Sequence, residues 1–140
     1  MSLICLMYIS KTRSEHSQIK KDLNDILTES VRFNSRNNIT GVLYYGNGYF
    51  LQYIEGEKEL VKSLFYKSIL RDVRHQNCKI IFLESLEHRL FKNWSMRFAP
   101  VNLRIKDFFQ RYYNVDFNPY LLNSSSIPYF LKIILDRKIL

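Results

Sequence analysis

Three uncharged polar side chains stand where the local pattern of this 140-residue chain asks for apolar ones. Gln52 lies inside Tyr49-Phe50-Leu51-Gln52-Tyr53-Ile54, and the two-residue period of a strand puts it on one face with Phe50 and Ile54. Burying a carboxamide without partners costs about 1–3 kcal/mol, so that face is either partly wet or has something polar set against it. Asn34 follows Ile19, Ile26 and Leu27 at helical spacing and falls on their inward stripe. Its other reading is a helix C-cap, because Asn tolerates the left-handed conformation. Tyr8 sits among apolar residues in Leu3-Ile4-Cys5-Leu6-Met7-Tyr8-Ile9, and a buried phenol usually finds a hydrogen-bond partner. Gln52 bonded to nearby protein groups and Tyr8 as an ordinary core tyrosine are the plainer alternatives. Brought together, a phenol and two carboxamides form an edge that both donates and accepts without net charge. That edge suits a flat heteroaromatic ligand with an amide-like rim, its ring faces sandwiched by apolar helix faces.

A second group is Asp72-Val73-Arg74-His75, just after a helical stretch. A helix C-terminus does not attract anions, but the guanidinium fork of Arg74 can grip a phosphate. A solvated charged loop is the alternative. Other chemistry finds little footing. His16, His75 and His88 do not cluster with Cys5 or Cys78, so no metal site is expected. The two cysteines read as reduced core thiols of a cytoplasmic protein. No Ser/His/Asp or Cys/His grouping and no paired carboxylates point to an enzyme.

The elements that must position these residues follow from periodicity. Residues 3–9 form a continuous apolar run, hence a buried central strand, and residues 10–14 a polar turn. Glu15–Asn34 carries a helical stripe with Ser14 as N-cap. Ile39–Tyr45 and Tyr49–Glu55 flank Gly46-Asn47-Gly48 as a hairpin, with Gly56 closing the second strand. Residues 57–71 read as a second amphipathic helix, Lys79–Leu86 as a strand, residues 87–94 as a polar loop and Ser95–Val101 as a short fifth strand. The order β-α-β-β-α-β-β predicts an α+β, ferredoxin-like sheet with both helices on one face. The other face needs a lid. Residues 104–113 read as a short helix and Val115–Leu122 as irregular. Ser124-Ser125-Ser126-Ile127-Pro128 then starts a helix with the apolar stripe Ile127, Phe130, Leu131, Ile134 and Leu135. Residues 1–101 are therefore expected to form the main domain, and residues 102–140 a helical extension packed on the bare face of its sheet.

The chain is 46% hydrophobic and 24% charged with only 4 Gly and 3 Pro, which excludes a disordered or low-complexity polypeptide. No apolar run is long enough to span a membrane, and Met1–Tyr8 lacks the basic start of a signal peptide. The formal charge of +8 is spread along the chain without a like-charge block.

In sequence order, several segments together resemble a BLUF domain, the blue-light sensor that binds a flavin. They are Leu6-Met7-Tyr8-Ile9-Ser10, Asn34 with Asn38-Ile39-Thr40-Gly41-Val42-Leu43-Tyr44-Tyr45, Phe50-Leu51-Gln52-Tyr53-Ile54-Glu55-Gly56, Asp72-Val73-Arg74-His75 and Phe91-Lys92-Asn93-Trp94-Ser95-Met96. The tail with Phe117-Asn118-Pro119-Tyr120-Leu121-Leu122-Asn123 is similar to short members without an effector domain.

The resemblance implies a flavin held between the two helices, FAD being the usual form and FMN or riboflavin the alternatives. It implies Tyr8 as electron and proton donor and Gln52 as the glutamine whose hydrogen bonds switch. It further implies cofactor contacts from Tyr8, Ser30, Asn34, Gln52, Asp72, Arg74 and His75, with Asn34 at the flavin's carbonyl and imide edge. Trp94 and Met96 match the pair that conveys the signal along the last strand to the C-terminal helices, and so to a protein partner, a transcription regulator among the candidates. Homo-oligomerisation stays open. Phe33 departs from the polar residue common before the asparagine. The rival reading is an RNA-binding module of RRM type, which shares the element order. Here, however, Asn47–Ile54 lacks the leading base of its motif and carries Phe50 where a small residue belongs.

Overall fold

The computed structural model describes residues 2–13, 18–90 and 97–134; Ser14, Trp94 and Met96 lie outside them. Its elements are β1 (Leu3–Thr12), α1 (Ile19–Asn37), β2 (Thr40–Gly46), β3 (Tyr49–Glu57), α2 (Lys58–Leu64), β4 (His75–Leu86), β5 (Arg97–Pro100), α3 (Leu103–Tyr113) and α4 (Ile127–Ile134). The sheet order is β4-β1-β3-β2-β5, with the first four strands antiparallel and β5 parallel to β2. This is the expected ferredoxin-like arrangement with a fifth strand added at the edge.

Both faces of the sheet are covered, which is why its central strands are apolar almost without interruption. Successive side chains alternate between faces. Ile4, Leu6, Tyr8, Leu43, Phe50 and Ile54 pack with Val61 and Phe65 and against Leu23, Ile26 and Leu27 of α1. Met7, Ile9, Val42, Tyr44, Leu51 and Tyr53 pack on the opposite face with Ile105, Phe109, Phe117, Ile127, Phe130 and Ile134. Ile127, Phe130 and Ile134 of the C-terminal stripe are thus core, as their spacing implies, and Leu131 packs against it; Leu135 lies outside the described residues. Phe109 is at the centre of that layer, fully buried, with ring contacts to Phe117 and Phe130 at 5.2 and 5.8 Å. Phe109→Ala is expected to destabilise the fold by about 3–5 kcal/mol, read as a lowered urea midpoint.

Several boundaries differ from the sequence reading: α1 begins at Ile19 with Gln18 at its N-cap position instead of following a Ser14 cap, β3 runs past Gly56 to Glu57, and four more differ for local reasons. β1 runs on through Ser10, Lys11 and Thr12 instead of turning there, because β3 and β4 pair with it on both sides and the ladder does not require apolar side chains. α1 extends to Asn37, and its left-handed cap is Asn38 (φ 54°), whose N–H bonds the carbonyl of Asn34. Asn34 is therefore a buried helical residue and not the cap. The second helix changes character at Phe65: residues Phe65–Ile69 form a π turn, closed by the Leu70 N–H on the Phe65 carbonyl at 2.8 Å. β4 begins at His75, four residues early, because a bulge with Asn77 at φ 54° lets the strand continue past an irregular register.

The described start of the loop after β4, at Arg89 and Leu90, is pinned. The fully buried Glu55 carboxylate accepts from the Tyr53 hydroxyl at 2.9 Å and from the Leu90 N–H at 2.9 and 3.0 Å. The Arg89 guanidinium reaches the Thr40 hydroxyl and the carbonyls of Glu55 and Asn38.

Candidate functional site

Between the sheet and the helical layer of α1, α2 and the π turn lies a cavity of about 340 Å³. That is within the range of small-molecule sites, roughly 300–1,000 Å³. Its walls are built from the residues the strand and helix periods send inward. Leu43 and Phe50 come from the sheet, Ile26 and Phe33 from α1, Leu64 from α2 and Ile69 from the π turn. Tyr8 and Gln52 share the same wall. They are register partners across β1 and β3, so their Cβ atoms stand about 4.5–5.5 Å apart. Gln52 is 3% exposed and Tyr8 is 4% exposed.

Burial drives the pKa of the Tyr8 phenol well above its ordinary value, with neighbouring Cys78 and Asp72 adding to the effect. The hydroxyl is thus a neutral donor at any working pH. Its ring packs at 5.5 Å on Phe65 and edge-on at 6.2 Å to His75.

The mouth of the cavity is polar and charged. Arg74 grips Asp72 with Nε at 2.9 and 3.1 Å and a terminal nitrogen at 2.5 Å, and that nitrogen also reaches Glu29 at 2.7 Å. Burial alone would raise the Asp72 carboxyl, but the bonds from Arg74 and its charge outweigh it and leave the pKa below the ordinary value. A lowered carboxylate pKa stabilises the fold above the unfolded value, about 3.9, and the contribution fades as pH falls through the folded one. Asp72→Asn is therefore expected to lower the melting temperature at pH 7. The gap to wild type should shrink below about pH 4, a trend that melts across the pH series would show.

His75, the first residue of β4, is fastened at both ring nitrogens. Nε2 lies 2.6 Å from the Ile69 carbonyl and Nδ1 2.7 Å from the Ser10 hydroxyl. A carbonyl can only accept, so Nε2 carries the proton and, in the neutral ring, Nδ1 accepts from Ser10. The imidazole thereby sews the π turn to β1 at the cavity wall.

Of the residues singled out in the sequence, Tyr8, Ser30, Gln52, Asp72, Arg74 and His75 line this one cavity. Asn34 is buried on α1 one position beyond Phe33, but is not itself on the wall. Trp94 and Met96 fall outside the described residues. Sequence reasoning missed Glu29, Ser68 and the backbone of Ile69. Ser10 was read only as part of a quoted segment and the start of a polar turn, without its contact to His75. The set fits a flavin: apolar side chains for both ring faces, a phenol and a carboxamide for a rim that donates and accepts, and a guanidinium at the mouth for phosphate. Among the described residues no three metal-ligating side chains come together, and no helix is long and apolar enough to cross a membrane.

Comparison with known proteins decides the family. The sequence model of the BLUF family, described as sensors of blue-light using FAD, matches residues 3–97. The chain belongs to the BLUF family. Its cofactor is accordingly a flavin and its stimulus blue light. BlsA in its ground state is similar over 96% of this chain and 88% of its own, with 40% identity and a TM-score of 0.89. BlrB, a BLUF protein in its dark state, is 28% identical with a TM-score of 0.75, covering 96% of each chain. The photoactivated adenylate cyclase subunit beta of Euglena gracilis is 32% identical over 99 residues, 70% of this chain but 11% of that protein. The chain thus spans about a tenth of the length of that relative. The blue light- and temperature-regulated antirepressor BluF of Escherichia coli is 29% identical over 105 residues, 75% of this chain and 25% of its own length. The RNA-binding reading finds no support: the sheet aromatics it would need on an open face, Tyr44, Phe50 and Tyr53, are at most 2% exposed beneath helices.

Proposed function

We propose that this chain is a blue-light switch without enzymatic activity of its own, acting in the cytoplasm on a protein partner. Residues 1–101 are the sensor and residues 102–140 the output. The observation that carries the reading is the opposition of Tyr8 and Gln52 in register on the wall of one cavity. FAD, when bound, supplies absorption of blue light and, once excited, an oxidant.

The chain's own residues do the rest. Ile26, Leu43, Leu64 and Ile69 exclude water from the ring faces, and Arg74 can hold phosphate at the mouth by exchanging Glu29, its more exposed partner, for it. Ser30 supplies a polar contact from the α1 side of the wall, and Asn34, buried on the same helix one position beyond Phe33, is the candidate for the flavin's carbonyl and imide edge. Tyr8 is the phenol of the wall, and a phenol that loses an electron becomes a strong acid. Its proton has the Gln52 carboxamide as neighbour. A carboxamide has two ends of nearly equal shape, one donating and one accepting, so rotation or tautomerisation rewrites the bonding at no cost in net charge. Inside a dry pocket this gives two states of similar energy, which light can interconvert.

The signal leaves the site along β5, on or near which Trp94 and Met96 stand in sequence, and enters α3. BluF, an antirepressor by name, supports a protein as the receiver of the signal. The test is purification of the chain from cells that make it, in darkness and under blue light. A protein retained in one condition only is expected; the same retained proteins in both would overturn a light-gated contact.

A further inference from the structure

β4 enters the sheet irregularly just where it forms the cavity wall. His75 is fixed by Ser10 and the Ile69 carbonyl, and its ring touches those of Tyr8 and Phe50. Immediately afterwards the ladder with β1 slips: Lys79 faces Ile9, whereas Gln76 faces Lys11, and Asn77 takes the left-handed conformation at φ 54°. Such a bulge beside a site re-aims the strand and leaves it local freedom to shift.

The carbonyl of that left-handed residue has a partner from the far end of the sequence. The Tyr120 hydroxyl donates to the Asn77 carbonyl at 2.6 Å. Tyr120 lies in the 3-10 turn Pro119–Leu121, which connects α3 to α4. The turn is capped at its start, where Asn118 Oδ1 accepts from the Tyr120 N–H at 3.1 Å. The Tyr120 ring rests edge-on against Tyr49 at 5.8 Å. A second tether, Asn47 Nδ2 to the Phe117 carbonyl at 3.1 Å, ties the same segment to the β2–β3 hairpin, which carries no cavity residue at its tip. Burial pushes the Tyr120 phenol up to about 12, so it remains a donor.

We propose that Tyr120 is a positioning residue that couples the flavin cavity to the C-terminal helices through the bulge at Asn77. This rests on the photoreceptor reading above and adds a route to it. A displacement of the His75 wall moves the Asn77 carbonyl two residues on, and the hydroxyl bonded to it carries the movement into the α3–α4 connection. The route runs through β4, at the sheet edge opposite β5, and needs neither Trp94 nor Met96.

Tyr120→Phe tests it, because it deletes one hydroxyl and keeps the ring on Tyr49. FAD-loaded wild type and variant are compared by absorbance and by amide hydrogen exchange, in darkness and under blue light. Both proteins should bind FAD and show the same light-induced red shift. In wild type, exchange across residues 117–134 should differ between light and dark; in the variant that difference should fall by about threefold or more. A fold-supporting role alone would change exchange equally in light and dark. A red shift with a wild-type-sized exchange difference in the variant, or with no difference in wild type, overturns the coupling alone. Absence of the red shift in wild type overturns the photoreceptor reading, and the coupling with it.

Discussion

Tyr8→Phe is expected to fold, bind FAD and yet show no light-induced red shift. The substitution removes one oxygen. The ring keeps its contacts with Phe65 and His75, so the loss in stability should stay within about 1.5 kcal/mol. What disappears is the one group among the described lining residues that can readily release an electron and a proton together. The described lining residues otherwise offer aliphatic chains, phenylalanines, serines, carboxylates, the amide, an arginine and a histidine. The neutral state of the buried phenol matters here, since a phenolate would have no proton to give. The measurement is a light-minus-dark absorption spectrum at matched flavin occupancy. The expected amplitude is under a tenth of wild type, and a variant that cycles normally would remove Tyr8 from the mechanism.

Gln52→Leu should have an effect of the same size for a different reason. Leu is close to Gln in volume and belongs naturally beside Phe50 and Ile54, so folding should not suffer and flavin should still bind between the apolar walls. The variant lacks a side chain whose two ends can exchange roles. Light can still excite the flavin and Tyr8 can still respond, but no altered hydrogen-bond pattern survives. The red-shifted state should therefore be missing on the seconds timescale. Loss of the carboxamide with an unchanged, reversible shift would place the switch elsewhere.

Most of this architecture was legible from hydrophobic period alone, because a ferredoxin-like sheet covered on both faces leaves clear marks. β1 and β3 read as apolar runs, the two helices as stripes, and the misplaced polar residues Tyr8 and Gln52 stood out against them. Their shared face followed once the strand order was known; that they stand directly opposite each other is a matter of the long-range β1–β3 register, which the folded sheet supplies. The C-terminal lid was legible because a second bare face requires one.

What period could not show were features set by backbone geometry and long-range contacts. The π turn at Phe65–Ile69 differs from an α-helix by one residue in its hydrogen bonding, too little to disturb the apolar stripe. The early start of β4 hides behind a polar stretch, His75-Gln76-Asn77, of which His75 and Gln76 pair with β1 through the backbone and Asn77 forms the bulge. Glu29, 45 residues before Arg74, could be matched to it only by folding the chain. Asn34 left two readings open, an inward-facing helical residue and a cap; the structure takes the first, because the helix runs on to a left-handed cap at Asn38.

The account rests on a flavin reversibly re-bonded by uncharged side chains of this cavity. The direct measurement is the visible spectrum of the folded, FAD-loaded protein before, during and after blue light. A band that moves to longer wavelength under illumination and returns in darkness is the predicted result. A folded protein that takes up no FAD, or one whose bound FAD keeps the same spectrum throughout, would contradict it.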